Sequence, residues 1–283
     1  MKAMCGLVLQ SMDKPMVLGF NQKWKKEYSL PVANFNSKSR KKCNLELSNC
    51  VKKSNACPME TGNFYASLDR NWFLKAKGKE VASSLNEQCI FLVGMMGSGK
   101  STVGKVLSEA LGYSFVDSDK YVEQVAGAAS VTEIFNKWGE TYFRDYESEA
   151  LRALSLMPRQ VVATGGGAVI RPINWIYMNQ GITVYLDVPL DALARRIAAV
   201  GTDSRPLLHF DSGDPYTKAF MRLFTLLKKR SESYSNADVT VSLLALAESL
   251  GLEDLSDLTP AAIAVEVLVQ IEKYISNKNS RSN

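Results

Sequence analysis

Residues 94–101 read Gly94-Met-Met-Gly-Ser-Gly-Lys100-Ser101 and match the phosphate-binding pattern G-x-x-x-x-G-K-[S/T]. The five residues before them, Cys89-Ile-Phe-Leu-Val93, are apolar and predict a buried parallel strand. Residues 102–111 follow with apolar side chains at helical spacing. A strand, a glycine-rich loop and a helix in this order are the context that a phosphate-binding loop requires. The stretch therefore predicts an α/β fold organised around a nucleotide site.

The residue types of this loop explain how it would bind phosphates. Its glycines let the backbone turn so that successive N–H groups point at one anion, and the helix start adds further free N–H groups. Lys100 supplies a positive charge for the β- and γ-phosphates of ATP, and the Ser101 hydroxyl is a suitable ligand for Mg2+. The residues expected to bind nucleotide are Gly97, Ser98, Gly99, Lys100, Ser101 and Thr102.

Charge is unevenly distributed along the chain. The net charge is +5 over 283 residues, but residues 1–87 hold 15 Lys and Arg against 7 Asp and Glu, whereas residues 88–283 hold 19 against 22. The basic character belongs to the front of the chain and does not predict a nucleic-acid-binding core. A hydrophobic content of 46% is ordinary for a globular protein and allows a sizeable core.

Cysteine and histidine usage argues against several kinds of site. Four of the five cysteines, at positions 5, 43, 50 and 57, lie in the front segment at spacings that match no zinc pattern. His209 is the only histidine, which argues against Ser-His-Asp catalysis and against a histidine metal site. No stretch approaches the roughly 20 apolar residues of a membrane span, so we expect no membrane partner.

The front segment, residues 1–85, has the composition of a targeting leader. It shows no sustained hydrophobic periodicity, contains the basic runs 23–26 and 38–42, and is poor in acids. Such a leader is typical of an organelle transit peptide, read by an import machinery, although it favours Lys over Arg. A disordered cytosolic extension is the alternative. We expect the enzyme domain to occupy residues 86–283, and the sequence carries no signal for an oligomeric state.

Apolar runs and turn residues predict the remaining elements. Further strands are expected at 113–117, 160–164, 182–187 and 238–242, and helices at 120–128, 131–157, 172–180, 189–200, 216–234 and 259–275. The polar stretch 201–216 is long for a connection, which indicates a functional loop or lid. Strands alternating with helices predict one three-layer α/β domain with a five-stranded parallel sheet.

Acids and glycines follow the second and third predicted strands. Asp117 and Asp119 are two residues apart, and we expect them to lie on an extended segment with their side chains pointing the same way. Gly165, Gly166 and Gly167 permit close backbone approach to a small ligand. Because open α/β sheets bind ligands at the carboxyl ends of their strands, these residues predict a second substrate beside the nucleotide.

Three charged residues of the later segments, Asp119, Arg144 and Arg230, can be explained by structure alone. Asp119 could cap the helix that follows it, and Arg144 could pair with Glu140 and Glu147, one helical turn away on either side. Arg230 lies in a basic helix, and such runs are usually a solvated face.

Taken together, the motifs resemble a known family from about residue 89 to residue 275. They are the loop at 94–101, DSD at 117–119, Phe143-Arg144, ATGGGAVIRP at 163–172, RPLL at 205–208, and Lys229-Arg230 ahead of Tyr234. Their combination and order resemble shikimate kinases of the plant plastid type. The resemblance implies a P-loop fold of the nucleoside-monophosphate-kinase type, with strand order 2-3-1-4-5 and a lid. It also implies transfer of the γ-phosphate of ATP to the 3-hydroxyl of shikimate in the chloroplast stroma.

The resemblance further implies roles on the acceptor side. Asp119 would bind the shikimate hydroxyls beside the nucleophilic oxygen, and Asp117 would lie near Mg2+ through water. Arg144 and Arg230 would bind the shikimate carboxylate, and the turn at 165–167 would hydrogen-bond substrate through the Gly166 backbone.

On the nucleotide side, Arg205 would come down with the lid onto the transferring phosphate, and Arg196, rather than its neighbour Arg195, would lie against adenine. Lys100, Asp119 and Arg205 would then form the catalytic set. Asp187 ends an apolar strand as a Walker B acid would, but the resemblance gives it no metal role, and we interpret it as a turn or cap acid.

Two other functions remain compatible with the pattern. A related P-loop kinase could act on another small acceptor, such as a nucleotide or gluconate. A kinase-like protein could also bind ATP and a small acid without turnover, although the presence of Lys100, Asp119 and Arg205 argues against a silent copy.

Overall fold

The computed structural model describes residues 70–200 and 214–282 of the chain. Five strands form one parallel sheet: β1 (Ile90–Val93), β2 (Ser114–Asp117), β3 (Gln160–Ala163), β4 (Ile182–Asp187) and β5 (Val239–Ser242). Their order is β2-β3-β1-β4-β5, with every neighbouring pair parallel. The sheet and its strand order confirm the expected fold class, and each strand lies within one residue of its predicted bounds.

Burial along the strands follows their position in the sheet. Every residue of the inner strands β1 and β3 is buried, whereas the edge strand β2 has no buried residue. This is why Ile90–Val93 reads as an unbroken apolar run, since a strand covered on both faces has no solvent-facing side.

Helices cover the sheet. They are α1 (Arg70–Ser84), α2 (Lys100–Leu111), α3 (Ser118–Ala126), α4 (Val131–Ser155), α5 (Pro172–Met178), α6 (Leu190–Val200), α7 (Pro215–Tyr234), α8 (Leu243–Ser249) and α9 (Pro260–Ser282). Within the described residues, 3₁₀ turns occur at Ala168–Ile170 and Leu255–Asp257. Helices α1, α2 and α9 pack against one another, as do α3 with α4 and α6 with α7.

Helix α1 lies inside the segment that composition assigned to the leader, and it was not predicted. Its side chains Leu74 and Val81, with Leu85 just beyond its end, are buried in the main hydrophobic core. The Nζ atom of Lys77 lies 2.6 Å from Oε2 of Glu272 on α9. The residues in these contacts are far apart in the sequence, so no local pattern predicted the helix.

Three smaller differences concern helix ends and breaks. Helix α4 is interrupted at Gly139, where φ is 83° and ψ is 171°, although it was predicted as continuous. Helix α9 begins as expected, with the Thr259 hydroxyl accepting from the Ala262 N–H at 3.2 Å, but it extends to Ser282 instead of ending near residue 275. The stretch 243–258, for which the sequence predicted no element, contains α8 and the 3₁₀ turn at Leu255–Asp257.

Candidate active site

A cleft of about 400 Å³ lies at the carboxyl ends of β1, β2 and β3. The phosphate-binding loop, the acids after β2 and the glycines after β3 all border it, as predicted from their places in the sequence. Its lining residues are Met96, Gly97, Lys100, Ser101, Asp117, Asp119, Lys120, Glu123, Ser130, Val131, Phe135, Phe143, Arg144, Glu147, Thr164, Gly165, Gly166, Gly167 and Arg230.

The phosphate-binding loop has the backbone that its glycines predict. Gly94, Gly97 and Gly99 have φ values of 151°, 81° and 92°, in the region that side chains disfavour. The Lys100 ammonium donates to the carbonyls of Gly94 and Met95, each at 2.8 Å. Helix α2 begins at Lys100, so its first N–H groups face the cleft, where an anion is favoured.

Asp117 connects the second strand to this loop. Its Oδ2 accepts from the Ser101 hydroxyl at 2.7 Å, and its Oδ1 accepts from the backbone N–H of Asp119 at 3.1 Å. Asp117 is therefore the N-cap of α3 and has the capping role that was considered for Asp119. Asp119 lies in the first turn of α3, so the prediction that both acids share one extended segment is wrong. The carboxylate and the serine hydroxyl together present hard oxygen atoms to the cleft.

Asp119 lines the cleft, and one of its two carboxylate oxygens is buried. The residue is half-buried as a whole, but its Oδ1 is shielded from solvent and makes no hydrogen bond among the described residues. Burial, with added repulsion from Glu147 and Asp117, raises the pKa of Asp119 to about 7, although Lys100 and Arg144 act in the opposite direction. A carboxylate with this pKa suits proton transfer near neutral pH.

Arg144 pairs with nearby acids, as its structural interpretation expects, and it also lines the cleft. Its NH1 donates to Oε2 of Glu147 at 2.9 Å, and its NH2 donates to Oε1 of Glu140 at 3.1 Å. Glu147 is fully buried and its Oε1 has no hydrogen-bond partner among the described residues. Burial raises the pKa of Glu147 despite the adjacent guanidinium.

The triple-glycine turn approaches these side chains closely. A Cβ on Gly165 would lie 2.5 Å from Oδ1 of Asp119 and 2.8 Å from Oε1 of Glu147. A Cβ on Gly167 would lie 2.3 Å from NH2 of Arg144. A side chain at either position would displace these carboxylates or the guanidinium, so glycine at this strand end keeps them in place.

Arg230 reaches the same turn from α7. Its NH1 donates to the Gly166 carbonyl at 2.9 Å, and the Tyr234 hydroxyl lies 3.4 Å from the same oxygen. Arg230 is 2% exposed, so the solvated-face interpretation is wrong for this residue, whereas its neighbours Lys228 and Lys229 are exposed. Burial lowers the pKa of Arg230.

The structure distinguishes the two arginines of α6. Arg196 NH1 donates to the Gly97 carbonyl at 3.3 Å, whereas Nε of Arg195 lies 3.0 Å from the Asp191 carboxylate. Arg196 thus contacts the phosphate-binding loop. Arg205 and His209, with the rest of stretch 201–213, lie outside the described residues.

Several site residues were not found by sequence reasoning. Glu147 was considered only as a partner of Arg144, and its burial beside Asp119 has no local sequence signal. Ser118 and Tyr234 belong to the quoted motifs but were given no role, because their partners, Gly165 and Gly166, are 47 and 68 residues away in the chain. Asp187 accepts from the Tyr185 hydroxyl at 3.1 Å and does not line the cleft.

Two further properties concern the described part of the chain only. Within residues 70–200 and 214–282, no group of three or more His, Cys, Asp or Glu side chains is arranged to hold a metal ion. Within the same ranges, no helix combines the length and apolar character needed to cross a bilayer.

Comparison with known proteins agrees with this geometry. Residues 96–264 match the family model described as shikimate kinase. A rice relative (Oryza sativa subsp. japonica), "Shikimate kinase 3, chloroplastic", is 56% identical over 240 residues, covering 84% of this chain and 82% of its own length. A tomato relative (Solanum lycopersicum), "Shikimate kinase, chloroplastic", is 47% identical over 274 residues, covering 93% and 90%.

A solved structure, the shikimate kinase from Acinetobacter baumannii in complex with shikimate, aligns with a TM-score of 0.56 and 34% identity. The alignment covers 70% of this chain and 98% of that one. The family model spans more than half of the chain, and the plant relatives match along most of their length. The chain belongs to the shikimate kinase family.

Proposed function

We propose that this chain transfers the γ-phosphoryl group of ATP to the 3-hydroxyl of shikimate, giving ADP and shikimate 3-phosphate. The shikimate oxygen forms a bond to the γ-phosphorus while the bond between that phosphorus and the β-phosphate oxygen breaks. The acceptor hydroxyl loses its proton. ATP is a substrate of this family, and the acceptor is the one bound in the Acinetobacter baumannii structure.

One observation carries the proposal: the carboxylate of Asp119 lines the same cleft as Lys100, Arg144 and Arg230. A kinase of a small acid needs its phosphates and its acceptor held in line, with a group that orients the acceptor hydroxyl. Because Asp119 lines the cleft, its carboxylate can accept a hydrogen bond from the acceptor hydroxyl. We assign Asp119 the role of orienting this hydroxyl and taking its proton.

Two arginines are suited to the acceptor carboxylate. Arginine offers a planar pair of donors that matches a carboxylate, which the point charge of lysine does not. Arg144 and Arg230 are both buried and both border the triple-glycine turn. We propose that these guanidinium groups bind the carboxylate and that the Gly166 backbone contacts the acceptor ring.

The phosphate side rests on the loop at 94–101. Lys100 would exchange its carbonyl partners for phosphate oxygens, and the loop N–H groups from Gly97 to Thr102 would surround the β-phosphate. The oxygen atoms of Ser101 and Asp117 fit Mg2+, which prefers hard oxygen ligands and would neutralise phosphate charge when bound. Arg196 is assigned to adenine because it contacts the loop, and Arg205 to the transferring phosphate.

A coupled assay of ADP release tests the function. The full chain is incubated with ATP and Mg2+, with and without shikimate, and a panel of gluconate and nucleoside monophosphates serves as the control set. Shikimate-dependent turnover that exceeds turnover with every other acceptor is expected. Turnover with another acceptor in its place would redirect the proposal, and calorimetric binding of ATP and shikimate without turnover would point to a silent binding protein.

The plant relatives are named chloroplastic, and we place this chain in the plastid with them. We propose that the targeting information lies before Arg70, because α1 packs on the domain and is part of it. A reporter fused behind residues 1–69 should enter chloroplasts. Retention of this fusion in the cytosol would contradict the leader assignment without affecting the enzymatic one.

A further inference from the structure

Ser118 lies between the two aspartates but does not line the cleft. It is fully buried, as the first residue of α3, and its side-chain oxygen accepts a hydrogen bond from the backbone N–H of Gly165 at 3.0 Å. The bond joins the segment after β2 to the turn after β3. It therefore connects two parts of the site that are 47 residues apart in the chain.

The sheet register explains why this bond forms. Strands β2 and β3 are neighbours, and their last residues, Asp117 and Ala163, lie opposite each other. The chain leaves β2 into a helix and leaves β3 into a glycine turn, so the ladder of backbone hydrogen bonds ends there. Ser118 continues the connection through its side chain, one residue beyond the sheet.

The position of Gly165 affects the site because charged side chains pack closely around it. Asp119 and Glu147 lie against its Cα, and Arg144 lies against Gly167 two residues on. The Gly165 carbonyl also accepts from the Ala168 N–H at 3.1 Å, which closes the turn. A shift of Gly165 would therefore move the carboxylate and the guanidinium that face the acceptor.

We propose that Ser118 is a positioning residue, which sets the distance between the Asp119 carboxylate and the triple-glycine turn by accepting the Gly165 N–H. It touches neither substrate. This inference rests on the proposed function, since it concerns how accurately the acceptor is held. Its effect should be confined to the acceptor side, because the phosphate-binding loop is connected to this segment through Asp117 instead.

The test is a comparison of Ser118→Ala, Ser118→Thr and wild type in steady-state kinetics. Ser118→Ala leaves the buried Gly165 N–H without an acceptor, and we expect kcat/KM for shikimate to fall about 10- to 100-fold, the cost of a small misplacement in an active site. The KM for ATP should stay within about twofold of wild type, since the ATP contacts are untouched. Ser118→Thr keeps the hydroxyl and should recover most of the loss.

Ser108→Ala is the matched control, because Ser108 is also buried but its hydroxyl donates within α2, to the Lys105 carbonyl. It should leave both KM values unchanged. If Ser118→Ala does not fold, Ser118→Cys, which fills similar space with a weak acceptor, is measured instead. An unchanged kcat/KM for shikimate, an equal loss for both substrates, or no recovery with threonine would overturn the inference. A wild-type chain inactive on shikimate would instead contradict the proposed function.

Discussion

The two halves of the cleft are constructed differently. The phosphate half comes from one contiguous stretch, Gly94 to Ser101, and presents mainly backbone N–H groups and one lysine. The acceptor half is assembled from α3, α4, the turn after β3 and α7, and presents ionisable side chains that are mostly buried. A local motif thus faces a site that exists only when four distant segments meet.

This difference has an electrostatic consequence. Backbone dipoles at a helix start are neutral overall and require no counter-charge in the protein. The acceptor half instead buries Asp119, Arg144, Glu147 and Arg230 together, so each charge depends on its neighbours and on the substrate. Perturbed pKa values should therefore concentrate in the acceptor half, and substitutions there should alter pH dependence as well as affinity.

The largest expected effect comes from Asp119→Asn. Loss of the proton acceptor should lower kcat by roughly 10²- to 10⁴-fold, the usual range for a general base, while ATP affinity stays near wild type. Steady-state kinetics measures the loss of kcat, and calorimetry measures the ATP affinity. Asp187→Asn is the matched control, since Asp187 is an aspartate at the end of a neighbouring segment of the sheet, β4, and lies outside the cleft lining. A kcat near wild type for Asp119→Asn would remove this residue from the mechanism.

A smaller loss is expected in the phosphate half. Lys100→Ala removes a charge that would act on the transferring phosphates, and kcat should fall by roughly 10²- to 10³-fold, as for loss of one stabilising donor. Its ATP affinity should weaken while its shikimate affinity survives, the reverse of the pattern at Arg230. Lys105→Ala, exposed on the same helix, provides the control. An equal loss of affinity for ATP and for shikimate would show that the two halves of the cleft do not act independently.

Asp119→Asn should also stabilise the fold at alkaline pH. Because burial raises the pKa of Asp119 to about 7, the folded chain holds this proton more tightly than the unfolded chain does. The stability that this group contributes is full below its ordinary pKa, about 4, and is lost as pH rises through 7. The variant should therefore gain on the order of 2–4 kcal/mol at pH 8 and little near pH 4.

Urea unfolding of both proteins between pH 5 and pH 8 measures this gain. The difference in unfolding free energy should grow with pH and level off above 7. A constant difference across this range would show that Asp119 titrates normally in the folded chain.

The smallest of these effects is expected for Arg230→Lys. Lysine keeps the charge but lacks the planar pair of donors, and a lost bond to a charged group corresponds to roughly a 10- to 100-fold rise in the KM for shikimate. The KM for ATP should not change. Lys229→Arg, the reverse exchange on the exposed neighbour, should alter neither value. A change in the KM for ATP alone would place Arg230 in the phosphate half of the cleft.

The phosphate half of the cleft could be predicted from the sequence more completely than the acceptor half. The apolar run before Gly94 and the glycines after it are local, so the strand, loop and first helix were all predictable. Asp117, Asp119 and the glycines at 165–167 could be placed at strand ends, and the parallel alternation brought those ends together. The strand order came from the family resemblance, since no local pattern encodes it.

What could not be predicted depends on contacts between distant residues. Helix α1 has no clear apolar face in sequence, with Trp72 63% exposed and Leu74 buried, and it is held in place by α2 and α9. In the sequence, Glu147 resembles any other acid on a helix surface. Only the folded structure shows that it is buried near Asp119. The hydroxyl of Ser118 finds its partner only because β2 and β3 are neighbours.

The segment from Asp117 to Asp119 has a consequence for protein engineering. Its three consecutive side chains contact the phosphate-binding loop, the glycine turn and the cleft, in that order. Inserting or deleting one residue here would turn each following side chain by about 100° around the helix axis and redirect every contact after the change. Redesign of the acceptor site can therefore alter side chains on α4 or α7, but the length of the segment Asp117 to Asp119 has to be preserved.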